Sequence, residues 1–139
     1  MTQAAHASTF AMLAGHNYIN LTTFRKNGQP VITPVWFAQD GDRLYITTVE
    51  DTGKVKRIRN TSRVQIGPSD ARGRPRGPVI EARGRVLPPV EHAKAERALD
   101  QKYGWQKRAF EVLSKLVGLV RRSRLQSATT YLEITPSDA

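Results

Sequence analysis

The stretch Tyr18–Thr48, "YINLTTFRKNGQPVITPVWFAQDGDRLYITT", carries three strands and the two turns that join them. Ile19, Leu21 and Thr23 alternate with more polar positions in 18–25. Val31, Thr33, Val35 and Phe37 alternate with Ile32, Pro34 and Trp36 in 30–38. Leu44 and Ile46 alternate with Arg43, Tyr45 and Thr47 in 43–48. A period of two in residues rich in β-branching and aromatic rings predicts strands. Asn27-Gly28 and Asp40-Gly41 fall between them, and both dipeptides tolerate positive φ, so each predicts a hairpin turn.

Working outward, 62–67 ("SRVQIG"), 78–87 ("PVIEARGRVL") and 129–135 ("TTYLEIT") supply three further strands. "SDARGRPRG" joins the first two of these and reads as a mobile basic loop. Helices are expected at 8–15, from Asp51 or Thr52 as the cap, and from Pro89 to about Tyr103. A fourth is expected at 105–120, where Trp105, Ala109, Val112, Leu113, Leu116, Val117 and Val120 recur at three- and four-residue spacing. Six short antiparallel strands argue for a small barrel, because closure removes exposed edges. Pro34 lacks a ladder donor, so its strand lies at an edge or a bulge, or lines a pocket. The chain of 139 residues suits one domain, 1–139, with one core.

Composition narrows the chemistry. The chain has no cysteine, which removes disulfides, a thiolate nucleophile and Cys-based zinc sites. His6, His16 and His92 show no metal-ligand spacing, so no metal is expected. There is no G-x-S-x-G elbow and no G-x-G-x-x-G after a strand. No apolar run reaches the roughly 18 residues of a membrane helix, and no signal peptide is read at the N-terminus. A cytoplasmic location without a membrane span is the expectation. The net charge of +10, from 22 basic and 12 acidic residues, favours an anionic partner. A nucleic-acid module is disfavoured, because the aromatics sit on strands of hydrophobic alternation with no exposed stacking series.

"TGKVKRIRN" (52–60) concentrates that charge. On a helical wheel Val55 and Ile58 share one face, Lys54 and Arg57 flank one side of it, and Lys56 and Arg59 flank the other. A charge run is ordinarily a solvated face. Here Lys54 lies in the first turn, against the helix dipole, at a cost of a few tenths of a kcal/mol. Gly53 beside it permits close approach. Free N–H groups, a glycine, a lysine and an arginine one turn on make an anion site, for which phosphate is the natural occupant.

These segments in this order, "LTTFRKNGQPVITPVWFAQDGDRLYITT", "GKVKRIRN" and "RVQIGPSDARGRPRGPVIEARGRVL", resemble the flavin/deazaflavin oxidoreductases, the split barrels related to pyridoxamine 5′-phosphate oxidase. The likeness runs from about Tyr18 to Ile134 and is strongest to the coenzyme F420-dependent subgroup, which "YGWQ" before an amphipathic helix also fits. It implies a mainly β fold with helices, a six-stranded antiparallel split β-barrel of the FMN-binding type, assembled as a homodimer with cofactor sites at the interface. It implies that Lys54 and Arg57, with Lys56 and Gly53, meet the cofactor phosphate. It places the ring system along Thr33, Pro34, Val35 and Trp36, and along Thr47 and Thr48. Thr22 and Arg25 are weaker candidates, and Trp105 is a candidate from the second subunit. No protein side chain is expected to act as acid, base or nucleophile, because the cofactor carries the hydride. The resemblance favours coenzyme F420 acting on a small organic substrate. Arg72, Arg74, Arg76, Arg121, Arg122 and Arg124 are available to its anionic tail. An FMN-dependent enzyme and a non-catalytic carrier are the alternatives.

Overall fold

The computed structural model describes residues 10–102 and 129–137. The expected helix at 105–120, Trp105, and Arg121, Arg122 and Arg124 lie outside the described residues. The described strands are β1 (Tyr18–Phe24), β2 (Pro30–Trp36), β3 (Ala38–Asp40), β4 (Arg43–Val49), β5 (Arg63–Ser69), β6 (Ile80–Val86) and β7 (Thr129–Pro136). Helix α1 (Gly53–Asn60) follows β4. A 3₁₀ turn at Pro89–Glu91 leads into a helix over 92–102, here α2. Of the expected N-terminal helix, residues 10–11 are helical and 12–15 form turns.

The first hairpin turns as its sequence dictates. Gly28 N–H donates to Arg25 O at 2.8 Å, and Arg25 N–H donates to Gln29 O at 2.9 Å. Gly28 takes φ +89°, a left-handed conformation that a residue with a Cβ adopts only at a cost. The register that follows pairs Thr23 with Val31, Leu21 with Thr33, Asn20 with Pro34 and Ile19 with Val35.

The strands form one antiparallel sheet in the order β2-β1-β5-β6-β7-β4-β3. Its two edge strands, β2 and β3, are consecutive in the chain, with Phe37 alone between them. The sheet therefore curls until its edges meet at Phe37. The expected single strand over 30–38 is divided at that corner, giving seven strands instead of six. The reason is a change of partner, since β2 pairs with β1 whereas Ala38 pairs with Tyr45 of β4. Beyond the corner β2 and β4 share no ladder, and this seam is the split in the barrel. Pro34 thus sits on an edge strand, where a missing N–H costs no ladder bond.

Interior positions follow the alternation. Ile19, Leu21, Leu44, Ile46, Val64, Ile66, Ala82, Leu132 and Ile134 make one buried cluster, joined by Phe10 and Leu13 and by Val55 and Ile58 of α1. Burying an aliphatic side chain contributes roughly 1.5–3 kcal/mol. Docking Val55 and Ile58 therefore outweighs the few tenths of a kcal/mol that Lys54 costs against the helix dipole. On the outer face α2 lays Ala95, Ala98 and Leu99 over Ala38, Tyr45 and Leu87, with Trp36 and Tyr131 at the margin. No described helix is long and apolar enough to cross a membrane.

Candidate functional site

Helix α1 sorts its four cations into two pairs. Lys56 lies 3.2 Å from Asp51, and Arg59 pairs with Glu50. Among the described residues no carboxylate comes within ion-pair distance of Lys54 or Arg57. Burial lowers the Lys54 pKa, and the nearby Arg57 lowers it further. Burial also lowers the Arg57 pKa, with Arg25 adding to it. Arg57 thus lies near enough to Lys54 and to Arg25 for their charges to act on one another, and among the described residues none of the three is paired with an acid, an arrangement that favours an anion beside them.

The first turn of α1 adds donors. Thr52 holds the N-cap position, as expected, but its side chain does not cap the helix. Its hydroxyl instead donates to Val49 O at 3.0 Å, so the helix amides keep their donors. Gly53 serves a neighbouring side chain more than the backbone. A Cβ built there would stand 2.6 Å from Arg57 Nη1, so the missing side chain makes room for the guanidinium.

Arg57 Nε donates to Thr23 Oγ1 at 2.6 Å. Thr23 is 1% exposed and shares the inner face with Ile19 and Leu21. Of the two candidates expected on the first strand, Arg25 follows β1 beside Arg57 and Thr22 points its side chain to the opposite face. Strand alternation was legible, but which of two adjacent threonines faces α1 depends on a contact 34 residues away.

The residues expected beside a ring system divide by face. Cross-strand partners point to the same side of a sheet. Thr33 and Val35 lie opposite Leu21 and Ile19, on the inner face with Thr23. Thr48 follows Leu44 and Ile46 onto that face. Pro34 and Trp36 point outward with Asn20 and Tyr18, and Thr47 points outward with Tyr45. Trp36 meets Tyr18 edge-on, with ring centroids 6.1 Å apart. Thr33, Val35 and Thr48 thus lie on the inner face of the sheet, and Pro34, Trp36 and Thr47 on the outer face.

The basic loop makes ordered hydrogen bonds at both of its ends. Asp70 Oδ1 accepts from the backbone N–H groups of Arg72 and Arg74 at 2.9 Å each. Asn20 Nδ2 donates to Gly73 O at 2.7 Å, and Arg76 N–H donates to Pro68 O at 2.8 Å. Arg74 and Arg76 also engage the Asp70 carboxylate, at 3.0 and 3.7 Å. The backbone N–H of Arg74 is the largest of several causes that lower the Asp70 pKa. Glycine and arginine content gave no sign of these bonds, which depend on one short-range Asp and one long-range Asn.

Two other polar centres escaped the sequence. Glu133 is 4% exposed and collects Tyr45, Arg85, Lys94 and, more distantly, Arg43 on the outer face. Lys102 borders a cavity of about 300 Å³ with Leu13, Phe37 and Ala98. Its ammonium donates to His16 O and Phe37 O at 2.8 Å each and lies over the Phe37 ring. Burial pushes it down to about 8. His92 Nε2 lies 3.1 Å from Leu87 O, and its ring meets Tyr131 edge-on. Among the described residues no group of three or more His, Asp or Glu side chains is placed to hold a metal ion.

Solved structures share this fold at low identity. A heme storage protein from Vibrio cholerae matches with TM-score 0.62 at 12% identity, over 95% of this chain and 89% of its own. A FAD-binding protein from Mesorhizobium loti matches with TM-score 0.57 at 21% identity, over 96% and 88%. An F420 reductase matches with TM-score 0.53 at 19% identity, over 92% of each chain. No curated protein sequence matches. The family model described as pyridoxamine 5′-phosphate oxidase matches residues 6–139. With the curled antiparallel sheet, its split between β2 and β4, and a match over almost the whole length, the chain belongs to the pyridoxamine 5′-phosphate oxidase family.

Proposed function

We propose that the protein is an oxidoreductase that uses the deazaflavin coenzyme F420 to reduce a small organic acceptor, with Lys54 and Arg57 holding the cofactor phosphate. The observation that carries this reading is Arg57 set near both Lys54 and Arg25 at the first turn of α1, with no carboxylate paired to any of them among the described residues. A phosphate ester fits that donor set, because it brings negative charge and several acceptor oxygens. Gly53 belongs to the site as the space that Arg57 fills. Lys56 is occupied by Asp51 and contributes less.

The rest of the cofactor would follow the seam from that phosphate, along Thr33, Val35 and Thr48 and past Pro34, Trp36 and Thr47. When bound, the deazaflavin supplies a hydride from its ring. This chain binds, orients and shields, and the substrate's proton comes from water. An enzyme of this kind needs no acid or base of its own. The fold of the F420 reductase favours the deazaflavin. The fold of the FAD-binding protein favours a second reading, in which FMN occupies the same phosphate site.

The net charge of +10 exceeds what one phosphate requires and suits the acidic tail of coenzyme F420. Within the loop Arg72 has no carboxylate partner among the described residues, whereas Arg74 and Arg76 share Asp70. A homodimer belongs to the same reading. Ile32 on the outer face of edge strand β2 is 61% exposed, and Val49 and Val79 are exposed as well. A second subunit covering the seam would bury them.

Fluorescence titration with oxidised coenzyme F420 and with FMN, side by side, tests the proposal. Tighter binding of the deazaflavin, with an affinity that falls more steeply with salt for longer glutamyl tails, is expected. Failure of both ligands to bind at micromolar concentration would overturn it. Tighter binding of FMN, with equal salt slopes, would put the flavin reading in its place.

A further inference from the structure

We infer that Thr23 and Gly53 are positioning residues that hold Arg57 ready for a phosphate. The inference rests on the phosphate-site reading of Lys54 and Arg57 and deepens it.

An arginine side chain without a partner loses rotamer freedom when it is fixed, and a ligand that must fix it bears that cost. Arg57 is fixed before any ligand arrives. Its Nε–H is engaged by Thr23 Oγ1 at 2.6 Å. Thr23 is itself buried in the barrel, and a β-branched side chain has few rotamers to exchange. The bond uses Nε alone. Among the described residues no hydrogen bond engages Nη1 or Nη2, so the forked end of the guanidinium keeps its donors. Nη1 occupies the space where any residue other than glycine would place a Cβ at position 53, only 2.6 Å away. Thr23 therefore anchors the base of the guanidinium from the sheet, and Gly53 admits its tip at the start of α1. A planar fork held at one end and open at the other suits bidentate binding of two phosphate oxygens. Lysine at position 57 could not reproduce it, having no Nε–H to spend on Thr23.

Gly53→Ala and Thr23→Val separate this arrangement from ordinary structural support. Alanine is the better helix former, so Gly53→Ala is expected to leave the melting temperature unchanged or raised. The new methyl meets only the flexible end of Arg57. Binding is measured by fluorescence with a deazaflavin bearing the ribityl phosphate and with its dephosphorylated form. Each variant is expected to weaken the phosphorylated ligand about 5- to 30-fold, one good hydrogen bond's worth. Neither should alter binding of the dephosphorylated form. Thr23→Ser, which restores the acceptor, should recover affinity to within about threefold. In an Arg57→Ala background neither substitution should weaken binding further, since both act through Arg57.

Wild-type affinity in Gly53→Ala, or equal losses for both ligand forms, overturns the inference even if Thr23→Val does not fold. If Arg57→Ala and Lys54→Ala weaken the phosphorylated ligand while Gly53→Ala and Thr23→Val do not, the phosphate reading stands and the positioning role falls. If Arg57→Ala and Lys54→Ala bind like wild type, both fall together.

Discussion

Tyr45 and Glu133 stand directly opposite one another on β4 and β7, and the tyrosine hydroxyl donates to Glu133 Oε2 at 3.0 Å. The same carboxylate accepts from Arg85 at 2.9 Å and from Lys94 of α2 at 3.0 Å. Burial raises the Glu133 pKa, but the bonds from Lys94, Arg85 and Tyr45 outweigh it, and the net direction is down. Tyr45 is raised, by burial first and by its bond to Glu133 second. This cluster fastens α2 to the outer face of the sheet. Glu133→Gln is expected to destabilise the fold by about 1–3 kcal/mol, because it weakens several bonds to a buried centre. Tyr45→Phe should cost about 0.5–1.5 kcal/mol, the worth of one bond. Urea denaturation with an unchanged slope measures both, and a cost near zero for Glu133→Gln would show that the cluster is not needed to hold α2.

Acid should release the same anchor. Glu91 is held down to about 2, chiefly by Arg85 and then by Lys94. A carboxylate whose folded pKa is depressed contributes its full stability above its ordinary value of 4.5 and loses it as pH falls toward 2. The melting temperature is therefore expected to fall across that window. Glu91→Gln should make the fall shallower and lower stability at neutral pH by the same amount, a small one, since Glu91 is partly solvated. An identical acid limb in wild type and variant would remove Glu91 from the account.

The two sides of α1 should separate in a binding assay. Lys54→Ala and Arg57→Ala are each expected to weaken a phosphorylated cofactor about 10- to 150-fold, the worth of a charged hydrogen bond at ~1.5–3 kcal/mol. Lys56→Ala and Arg59→Ala remove exposed pairs with Asp51 and Glu50. Those should cost under about 1 kcal/mol of stability and change affinity less than about threefold. Equal losses on both sides would mean that the helix acts through net charge alone.

Lys102 should titrate below the ordinary range of a lysine. With its amine pushed down to about 8 by burial, ¹³C NMR of the reductively methylated protein is expected to show a resonance, absent in Lys102→Met, with a midpoint near that value. The sign on stability follows. The folded state binds this proton more weakly than the unfolded chain, so Lys102 lowers stability below pH 8 and the penalty is relieved between 8 and 10.5. A midpoint near 10.5 would mean that the carbonyls of His16 and Phe37 hold the charge fully.

Ile32 gives access to the oligomeric state. Ile32→Asp, on the outer face of β2, should convert the proposed dimer to monomers in light scattering at micromolar concentration while the melting curve stays cooperative. A wild-type protein that is monomeric with cofactor present would end the dimer reading outright.

Local rules wrote much of this molecule into its sequence. Alternation in 18–48 specified strands, glycine specified the turn at Gly28, and the helical wheel of 53–60 put Val55 and Ile58 inside with cations on either flank. Each rests on physics within a few residues, namely side-chain period, φ preference and helical spacing. Period two says that a strand has two faces without saying what each face meets. Only the closed sheet sent Thr33, Val35 and Thr48 inward and Pro34, Trp36 and Thr47 outward, and only the pairing of β1 with β2 and β5 aimed Thr23, not Thr22, at Arg57. Tertiary structure also decided which cations of α1 meet carboxylates, how Asn20 orders a loop 53 residues away, and which strands bring Tyr45, Arg85 and Lys94 to Glu133. These outcomes depend on distances between residues far apart in the chain, which packing sets and which no local pattern encodes.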